Sequence, residues 1–163
     1  MLERKASSFL NGWKCRRHRA LVIEGMRGVG KTTVVDLFGT TYGSYLRIPM
    51  DEPANAGMFN GCSDVDEAIR ILNLRFGGMR FVPRDTLIFL DEIGGCPGAV
   101  RLLAEFSADG RYDIIAADSF PGAENEYDGL DRYTMRPLDF EEFLWATGRR
   151  KDLVAAIREF LAD

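Results

Sequence analysis

The sequence has few of the residues that build metal clusters or disulfide frameworks. It contains three cysteines, none of them in a C-x-x-C pair, and a single histidine. An odd number of unpaired cysteines is typical of reduced thiols in the cytoplasm, and a zinc site normally needs several cysteine or histidine ligands. The composition therefore argues against a disulfide-stapled secreted domain and a zinc module, and it predicts a cytoplasmic protein.

Long apolar runs and an excess of positive charge are also missing. No stretch approaches the roughly 20 apolar residues of a membrane helix, and the N-terminal "MLERKASSFL" lacks the apolar core of a signal peptide. The net charge of -4 argues against nucleic acid as a partner. The basic stretch "KCRRHR" at 14–19 has no interleaved aromatic residues, so we interpret it as a solvated connector and expect His18 on the surface.

What remains is an ordinary globular composition of 163 residues, 46% apolar and 28% charged, which fits one domain. Strand and helix patterns alternate from residue 20 to about residue 138. That alternation predicts an α/β core with a mainly parallel sheet and right-handed crossovers. Residues 1–19 are expected to form an amphipathic helix and a basic joint, and residues 139–163 two helices broken at Gly148.

The stretch "GMRGVGKTT" at 25–33 matches the Walker A pattern G-x-x-x-x-G-K-[ST], between an apolar strand and a predicted helix. Glycines let the backbone wrap closely around phosphates, and the helix N-terminus adds unpaired N–H groups and its dipole. Lys31 is expected to bind the β- and γ-phosphates, and the Thr32 hydroxyl to help hold Mg²⁺. The pattern and its context predict a nucleotide site rather than a glycine-rich turn with a surface lysine.

A second signal is the buried strand "TLIFLDE", which ends at Asp91 and Glu92. Ligands of open α/β sheets bind at the carboxyl ends of the strands. Asp91 is expected to complete the Mg²⁺ site of Thr32, and Glu92 to polarise a water for attack on the γ-phosphate. A base beside the metal favours hydrolysis over transfer to a small substrate. A purely structural role, in which the two acids cap the following segment, is the alternative.

The sequence resembles the N-terminal ATPase domain of a prokaryotic AAA+ family whose members usually carry a further nuclease-like domain. Four stretches carry the resemblance: "MLERKASSFLNGWK", "ALVIEGMRGVGKTT", "TLIFLDEIGGCPGAVRLLAEFSADGRYDIIAADS" and "RPLDFEEFLWATG". It implies a three-layer P-loop fold with five strands in the order 2-3-1-4-5, and a helical lid that is truncated here. The Walker A strand should lie beside the Asp91–Glu92 strand or one strand away.

The resemblance also implies roles for individual residues. ATP and Mg²⁺ are the expected cofactors, with Thr32 and Asp91 on the metal and Glu92 and Lys31 as catalytic groups. In the sensor position "DSF", Ser119 is implied to read the γ-phosphate or to position water. The residues implied to bind the nucleotide are Gly25, Gly28, Val29, Gly30, Lys31, Thr32 and Thr33.

Several positions depart from the family pattern. Gly28 and Gly94 stand where the family usually has glutamine, and Asp118 precedes the sensor serine where the family has glycine. An inward-pointing Asp118 would repel the phosphates, so we expect its side chain to point away or to join a metal or water network. The family's Gly-Arg pair before "PLDFEEF" is missing, and neither Arg132 nor Arg136 aligns with it. Loss of such an arginine lowers hydrolysis rates by roughly 10³–10⁵.

These departures leave alternatives to an ATPase open. A nucleotide-binding switch with little turnover fits the missing arginine, and a small-substrate phosphotransferase fits only the loop and the chain length. The apolar residues of "DFEEFLW" at 139–145 are expected to pack onto the sheet; alternatively they form a docking face for self-association or a partner protein.

Overall fold

The computed structural model describes residues 4–16, 18–119 and 127–148, together with residue 155. Strands and helices alternate within these ranges, as the sequence patterns predict. Of the second expected C-terminal helix, only residue 155 is described, and it is helical. In chain order the elements are α1 (Lys5–Cys15), β1 (Leu21–Glu24), α2 (Lys31–Gly39), β2 (Ser44–Pro49), α3 (Pro53–Ala56), α4 (Val65–Arg75), β3 (Thr86–Asp91), α5 (Pro97–Asp109), β4 (Asp113–Asp118), β5 (Asp131–Thr134) and α6 (Phe140–Ala146).

These five strands run parallel in one sheet, in the order β2-β3-β4-β1-β5. The expected order 2-3-1-4-5 is therefore wrong, because β4 rather than β1 lies beside β3. Alternating elements predict parallel crossovers, but the packing of helices on both faces decides which strand takes which place. The expectation that the Walker A strand lies at most one strand away from β3 is confirmed, since only β4 separates them.

Helices cover both faces of the sheet and give the fold three layers. On one face, Leu10 and Trp13 of α1 pack with Val35 of α2 against the strands. On the other face, Leu72 of α4 and Leu103 of α5 lie in a second buried cluster. All six residues of β3 are buried, as expected for a central parallel strand whose two faces are both covered. The three cysteines are free thiols, as their number and spacing predict.

Local signals in the sequence explain where the helices begin and end. The Asp64 carboxylate caps α4 by accepting a 2.8 Å hydrogen bond from the Glu67 amide. Gly110 ends α5 in the left-handed conformation, at a φ of 68°. Across the described part of the chain, no helix has both the length and the apolar character needed to cross a membrane.

The short helix α6 does not pack its phenylalanines onto the sheet. Phe140 and Phe143 are 68% and 54% exposed, so the expected packing is wrong for both. The buried position of α6 is occupied instead by Glu142, which is 5% exposed and closes a capping box with Asp139. Since neighbouring helical residues point in different directions, a glutamate that faces inward turns these two aromatic rings toward solvent.

The basic joint after α1 also differs from the expectation. His18 is mostly buried: its ring centroid lies 3.9 Å from that of Trp13, and its Nε2 lies 2.9 Å from Asp113 Oδ1. The hydrogen bond to the Asp113 carboxylate raises the pKa of His18 above its usual range, against the opposing effect of burial. The predicted surface histidine is therefore part of the packing between α1 and β4.

Candidate phosphate-binding site

The glycine-rich loop connects the carboxyl end of β1 to the first residue of α2, which is Lys31. Gly28 and Gly30 have φ values of 84° and 96°, a backbone region that side chains with a Cβ rarely adopt. Gly25 is needed for space, because a Cβ there would lie 2.3 Å from the carbonyl oxygen of Met135. The pattern predicted glycines for a tight wrap, and the structure shows which contact requires the first of them.

The side chain of Lys31 lies inside this loop and is almost completely buried. Its ammonium group donates hydrogen bonds of 2.7 Å to Gly25 O, 3.2 Å to Met26 O and 2.8 Å to Ser119 Oγ. A buried ammonium group must satisfy its three donors, and these acceptors do so. The positive charge is thereby held between the loop and the end of β4.

Ser119 and Glu92 form the next link of the same polar chain. The Ser119 hydroxyl donates a 2.5 Å hydrogen bond to Glu92 Oε1, which lies 4.0 Å from the Lys31 ammonium nitrogen. Glu92 has a left-handed backbone with a φ of 60°, which costs a residue other than glycine about 1–2 kcal/mol. The expected roles of Lys31, Ser119 and Glu92 assign them to one site. In the structure these three side chains are in contact.

Thr32 and Asp91 also meet at this edge of the sheet. The Thr32 hydroxyl lies 3.0 Å from Asp91 Oδ2 and 3.2 Å from Oδ1. Arg47 of β2 donates to Asp91 Oδ2 through Nε at 3.1 Å and pairs with it through a second guanidinium nitrogen at 2.9 Å. Burial raises the pKa of the Asp91 carboxyl above its usual range, although the Thr32 hydrogen bond and the charge of Arg47 act in the opposite direction.

Thr32 and Asp91 offer oxygen ligands of the kind that a magnesium ion takes from a protein. Mg²⁺ prefers oxygen ligands and typically takes only one or two from the protein, the others coming from phosphates and water. A hydroxyl beside a buried carboxylate supplies that kind of oxygen. Among residues 4–16, 18–119 and 127–148, no group of three or more histidine, cysteine, aspartate or glutamate side chains forms a separate metal cluster.

Asp118 does not face the loop. Its carboxylate accepts a 2.6 Å hydrogen bond from the Tyr127 hydroxyl, and Tyr127 belongs to the buried cluster on the face that carries α4 and α5. The α2 helix packs on the opposite face. Because side chains alternate along a strand, Asp118 turns away while Ser119 turns toward Lys31. The expectation that Asp118 points away from the phosphates is thus supported by its contacts.

Arg132 and Arg136 are the two arginines nearest in the sequence to the position of the missing Gly-Arg pair. Arg132 forms a two-pronged ion pair with the buried Glu24 carboxylate, with nitrogen–oxygen distances of 2.8 to 3.1 Å. This pair raises the pKa of Arg132 and holds its charge on the β1–β5 strands. Arg136 has an exposed side chain, and its carbonyl oxygen accepts a 2.8 Å hydrogen bond from Arg4.

The remaining nucleotide residues of the sequence prediction lie on the same loop and helix. Val29 is half-buried, and its carbonyl oxygen accepts a 2.9 Å hydrogen bond from Arg4. Thr33 lies in the first turn of α2 with an exposed side chain. Two cations at this edge, Arg4 and Arg47, were missed because each reaches the site from a distant segment.

The glycine loop between β1 and α2, with the acidic end of β3 and the polar end of β4 around it, defines a P-loop NTPase fold. A family model described as an AAA domain matches residues 17–144. The chain belongs to this family of AAA domains. The match confirms the predicted AAA+ resemblance over most of the chain and leaves α1 outside the matched range. No curated protein matches the sequence.

The fold recurs in solved structures, of which two are examples. The Walker-type ATPase PABY2304 of Pyrococcus abyssi has a TM-score of 0.53 at 13% identity, over 95% of this chain and 63% of that protein. C. elegans PCH-2 has a TM-score of 0.52 at 12% identity, over 90% of this chain and 46% of that protein. The chain spans less than two thirds of either protein, and at these identities the similarity concerns the fold alone.

Proposed function

We propose that this chain is a cytoplasmic ATPase domain that binds ATP with Mg²⁺ and uses Glu92 to activate the attacking water. The observation that carries the proposal is the continuous chain of contacts from Lys31 through Ser119 to Glu92. Lys31, the proposed phosphate-binding cation, and Glu92, the proposed base, lie 4.0 Å apart. The strained backbone of Glu92 supports a functional role, since such strain tends to occur at working sites.

Binding rests on the loop and the first turn of α2. The backbone N–H groups at the helix N-terminus attract phosphate oxygens, and Lys31 adds a full positive charge beside them. Thr32 and Asp91 would hold the magnesium ion, which would neutralise charge on the β- and γ-phosphates when bound. Gly25, Gly28, Val29, Gly30 and Thr33 complete the proposed nucleotide-binding set.

Hydrolysis requires a water molecule in line with the γ-phosphate and a group that accepts its proton. Glu92 follows the buried strand β3 directly, so its carboxylate is aimed from a rigid element. The Ser119 hydroxyl donates to one carboxylate oxygen, which leaves the other to orient water. In this proposal Ser119 positions Glu92 and also senses the γ-phosphate through Lys31.

A nucleotide-binding switch with little turnover is the second candidate, and the Arg132–Glu24 ion pair favours it. Because this pair occupies Arg132, an arginine from another copy or a partner protein is the proposed source of the missing positive charge. Self-association would supply one, and the exposed Phe140 and Phe143 of α6 are the proposed contact surface. ATP and ADP are the ligands in either case.

Phosphate release by the wild-type protein and by Glu92→Gln distinguishes the two candidates. An ATPase should lose about 10²–10⁴ of its rate in the variant while still binding ATP. Glu105→Gln is the matched control, because Glu105 is an exposed residue of α5 on the other face of the sheet. Equal phosphate release by wild type and Glu92→Gln would reject hydrolysis by this chain. Rates measured across protein concentration would then show whether an arginine acts between copies.

A further inference from the structure

Arg4 connects three segments that are far apart in the sequence. It immediately precedes α1 and is 8% exposed. Its guanidinium group donates to the Val29 carbonyl oxygen in the phosphate loop at 2.9 Å and to the Arg136 carbonyl oxygen after β5 at 2.8 Å. Its Nε donates to Glu142 Oε1 of α6 at 3.1 Å. One buried side chain therefore contacts the loop, the segment after β5 and the helix that follows it.

The carboxylate that pairs with Arg4 is itself fixed in place. Glu142 Oε1 also accepts a 2.8 Å hydrogen bond from the Lys5 amide, and Oε2 accepts one of 3.2 Å from the Asp139 amide. A buried ion pair is stabilising only when its geometry is good and its remaining hydrogen-bonding groups are satisfied. Each side-chain nitrogen of Arg4 and each carboxylate oxygen of Glu142 has a hydrogen-bond partner, so the pair favours one arrangement of α1, α6 and the loop.

The contact with Val29 bears on how the loop presents its amides. In a trans peptide the carbonyl group and the following N–H group point in opposite directions. Holding the Val29 carbonyl against Arg4 therefore fixes the Gly30 N–H on the side away from Arg4. Gly30, with its φ of 96°, has no side chain that could restrict the peptide by itself. The orientation of this amide depends on a residue outside the Walker A pattern.

We propose that Arg4 is a positioning residue for nucleotide binding: it fixes the Val29–Gly30 peptide and, through Glu142, links the state of the phosphate loop to α6. The inference builds on the proposed nucleotide site and adds a residue and a coupling that the motif does not contain. Arg4 acts through the loop backbone, so its replacement should weaken nucleotide affinity and loosen the loop without changing the chemical step.

Two measurements, together with kcat from phosphate release, test the proposal. Calorimetry with Mg²⁺ and a non-hydrolysable ATP analogue gives the affinity, and hydrogen–deuterium exchange of the nucleotide-free protein gives the protection of residues 25–33 and 140–146. Arg4→Gln should weaken binding at least about tenfold and raise exchange in both segments, with an unchanged kcat at saturating ATP. The matched control is Arg75→Gln at the exposed end of α4, which should change neither quantity.

The conservative variant and the double variant sharpen the result. Arg4→Lys keeps the buried charge beside Glu142 but cannot reach three acceptors, so an intermediate loss of affinity is expected. Glu142→Gln combined with Arg4→Gln should show less than the summed effect of the single variants, because each removes the same link. If Arg4→Gln fails to fold, Arg4→Lys carries the test.

Three outcomes would overturn the proposal. One is a folded Arg4→Gln or Arg4→Lys protein with wild-type affinity and exchange. Another is weaker binding with unchanged loop exchange, which would indicate direct contact between Arg4 and the nucleotide. The third is a loss of kcat alone. A wild-type protein that binds no nucleotide would refute the proposed function and the nucleotide-positioning role, while the exchange experiment would still report whether Arg4 orders the loop.

Discussion

The Ser119 hydroxyl donates a 2.5 Å hydrogen bond to Glu92 Oε1 across the carboxyl ends of two adjacent strands. Ser119 follows β4 and Glu92 follows β3, so the sheet itself determines their separation. Ser119 Oγ also accepts the hydrogen bond from Lys31. A change at Lys31, the proposed phosphate-binding cation, can therefore reach Glu92, the proposed base, through a single hydroxyl group.

Removing this hydroxyl should affect turnover more than binding. We expect Ser119→Ala to lower kcat roughly 10- to 100-fold with little change in KM, because Glu92 loses the donor that orients it. Phosphate-release kinetics measure both constants. Ser8→Ala, at an exposed position of α1, is the control. A rise in KM with an unchanged kcat would contradict the positioning of Glu92 by Ser119.

Two glycine-to-alanine changes should shift stability in opposite directions. At Gly25 the new Cβ would lie 2.3 Å from the Met135 carbonyl oxygen, so Gly25→Ala should destabilise the fold by about 1–3 kcal/mol and impair nucleotide binding. Gly12 lies inside α1 with no heavy atom within 4 Å of the added Cβ, so Gly12→Ala should stabilise it by about 0.5–1 kcal/mol. Thermal unfolding of the two variants and of the wild type measures the change in Tm that each substitution causes. Equal changes in Tm would contradict the prediction.

Asp91 should cost stability in the nucleotide-free protein. The pKa of its carboxyl group is raised in the folded state. The stability that the neutral carboxyl group contributes is therefore fully present below pH 3.8, and it is lost as pH rises through the folded pKa. Asn resembles the neutral carboxyl group, and we therefore expect Asp91→Asn to raise Tm at neutral pH. The same variant should lose the additional Tm increase that Mg²⁺ gives in the presence of ATP. A lower Tm in the nucleotide-free variant would contradict the electrostatic argument.

His18 should make the protein less stable as the solution becomes alkaline. Because its folded pKa is raised above 6.5 by Asp113, its stabilisation is complete below pH 6.5 and disappears as pH rises through the folded value. His18→Gln should remove that slope, so the Tm difference between wild type and variant should shrink from pH 6 to pH 9. Asp113→Asn provides a second way to remove the interaction. A difference that stays constant over this range would argue against a charged His18.

The parts of the site that lie on one short stretch of chain were predictable from the sequence. The Walker A loop fixes its own backbone through glycines, and the acidic residues at the end of β3 follow from a buried apolar run that stops abruptly. Lys31, Thr32, Asp91 and Glu92 all lie at the predicted edge of the sheet. Ser119 was reached through the family resemblance, and its contacts with Lys31 and Glu92 agree with that placement.

The parts that depend on distant segments were not predictable. Arg4 and Glu142 are 138 positions apart, and Arg47 and Asp91 are 44 apart. No local pattern marks either pair, since a basic or acidic residue is usually solvated wherever it lies in the chain. The aromatic residues of α6 were predicted in the wrong place for the same reason. Phe140 and Phe143 form an apolar pattern, but the buried position of α6 is occupied by Glu142, which pairs with Arg4.

The sequence by itself determined the parallel α/β class and the residue types at the strand ends, because hydrophobic periodicity and glycine spacing act over a few neighbouring residues. Only the tertiary structure decided that β4 lies between β3 and β1. In this arrangement the Gly25 amide donates a 3.2 Å hydrogen bond to the Asp118 carbonyl oxygen. Strand order and buried ion pairs depend on which surfaces pack together after the chain has crossed over the sheet. Which surfaces pack together depends on the whole fold, and this packing places Arg4 against the phosphate loop.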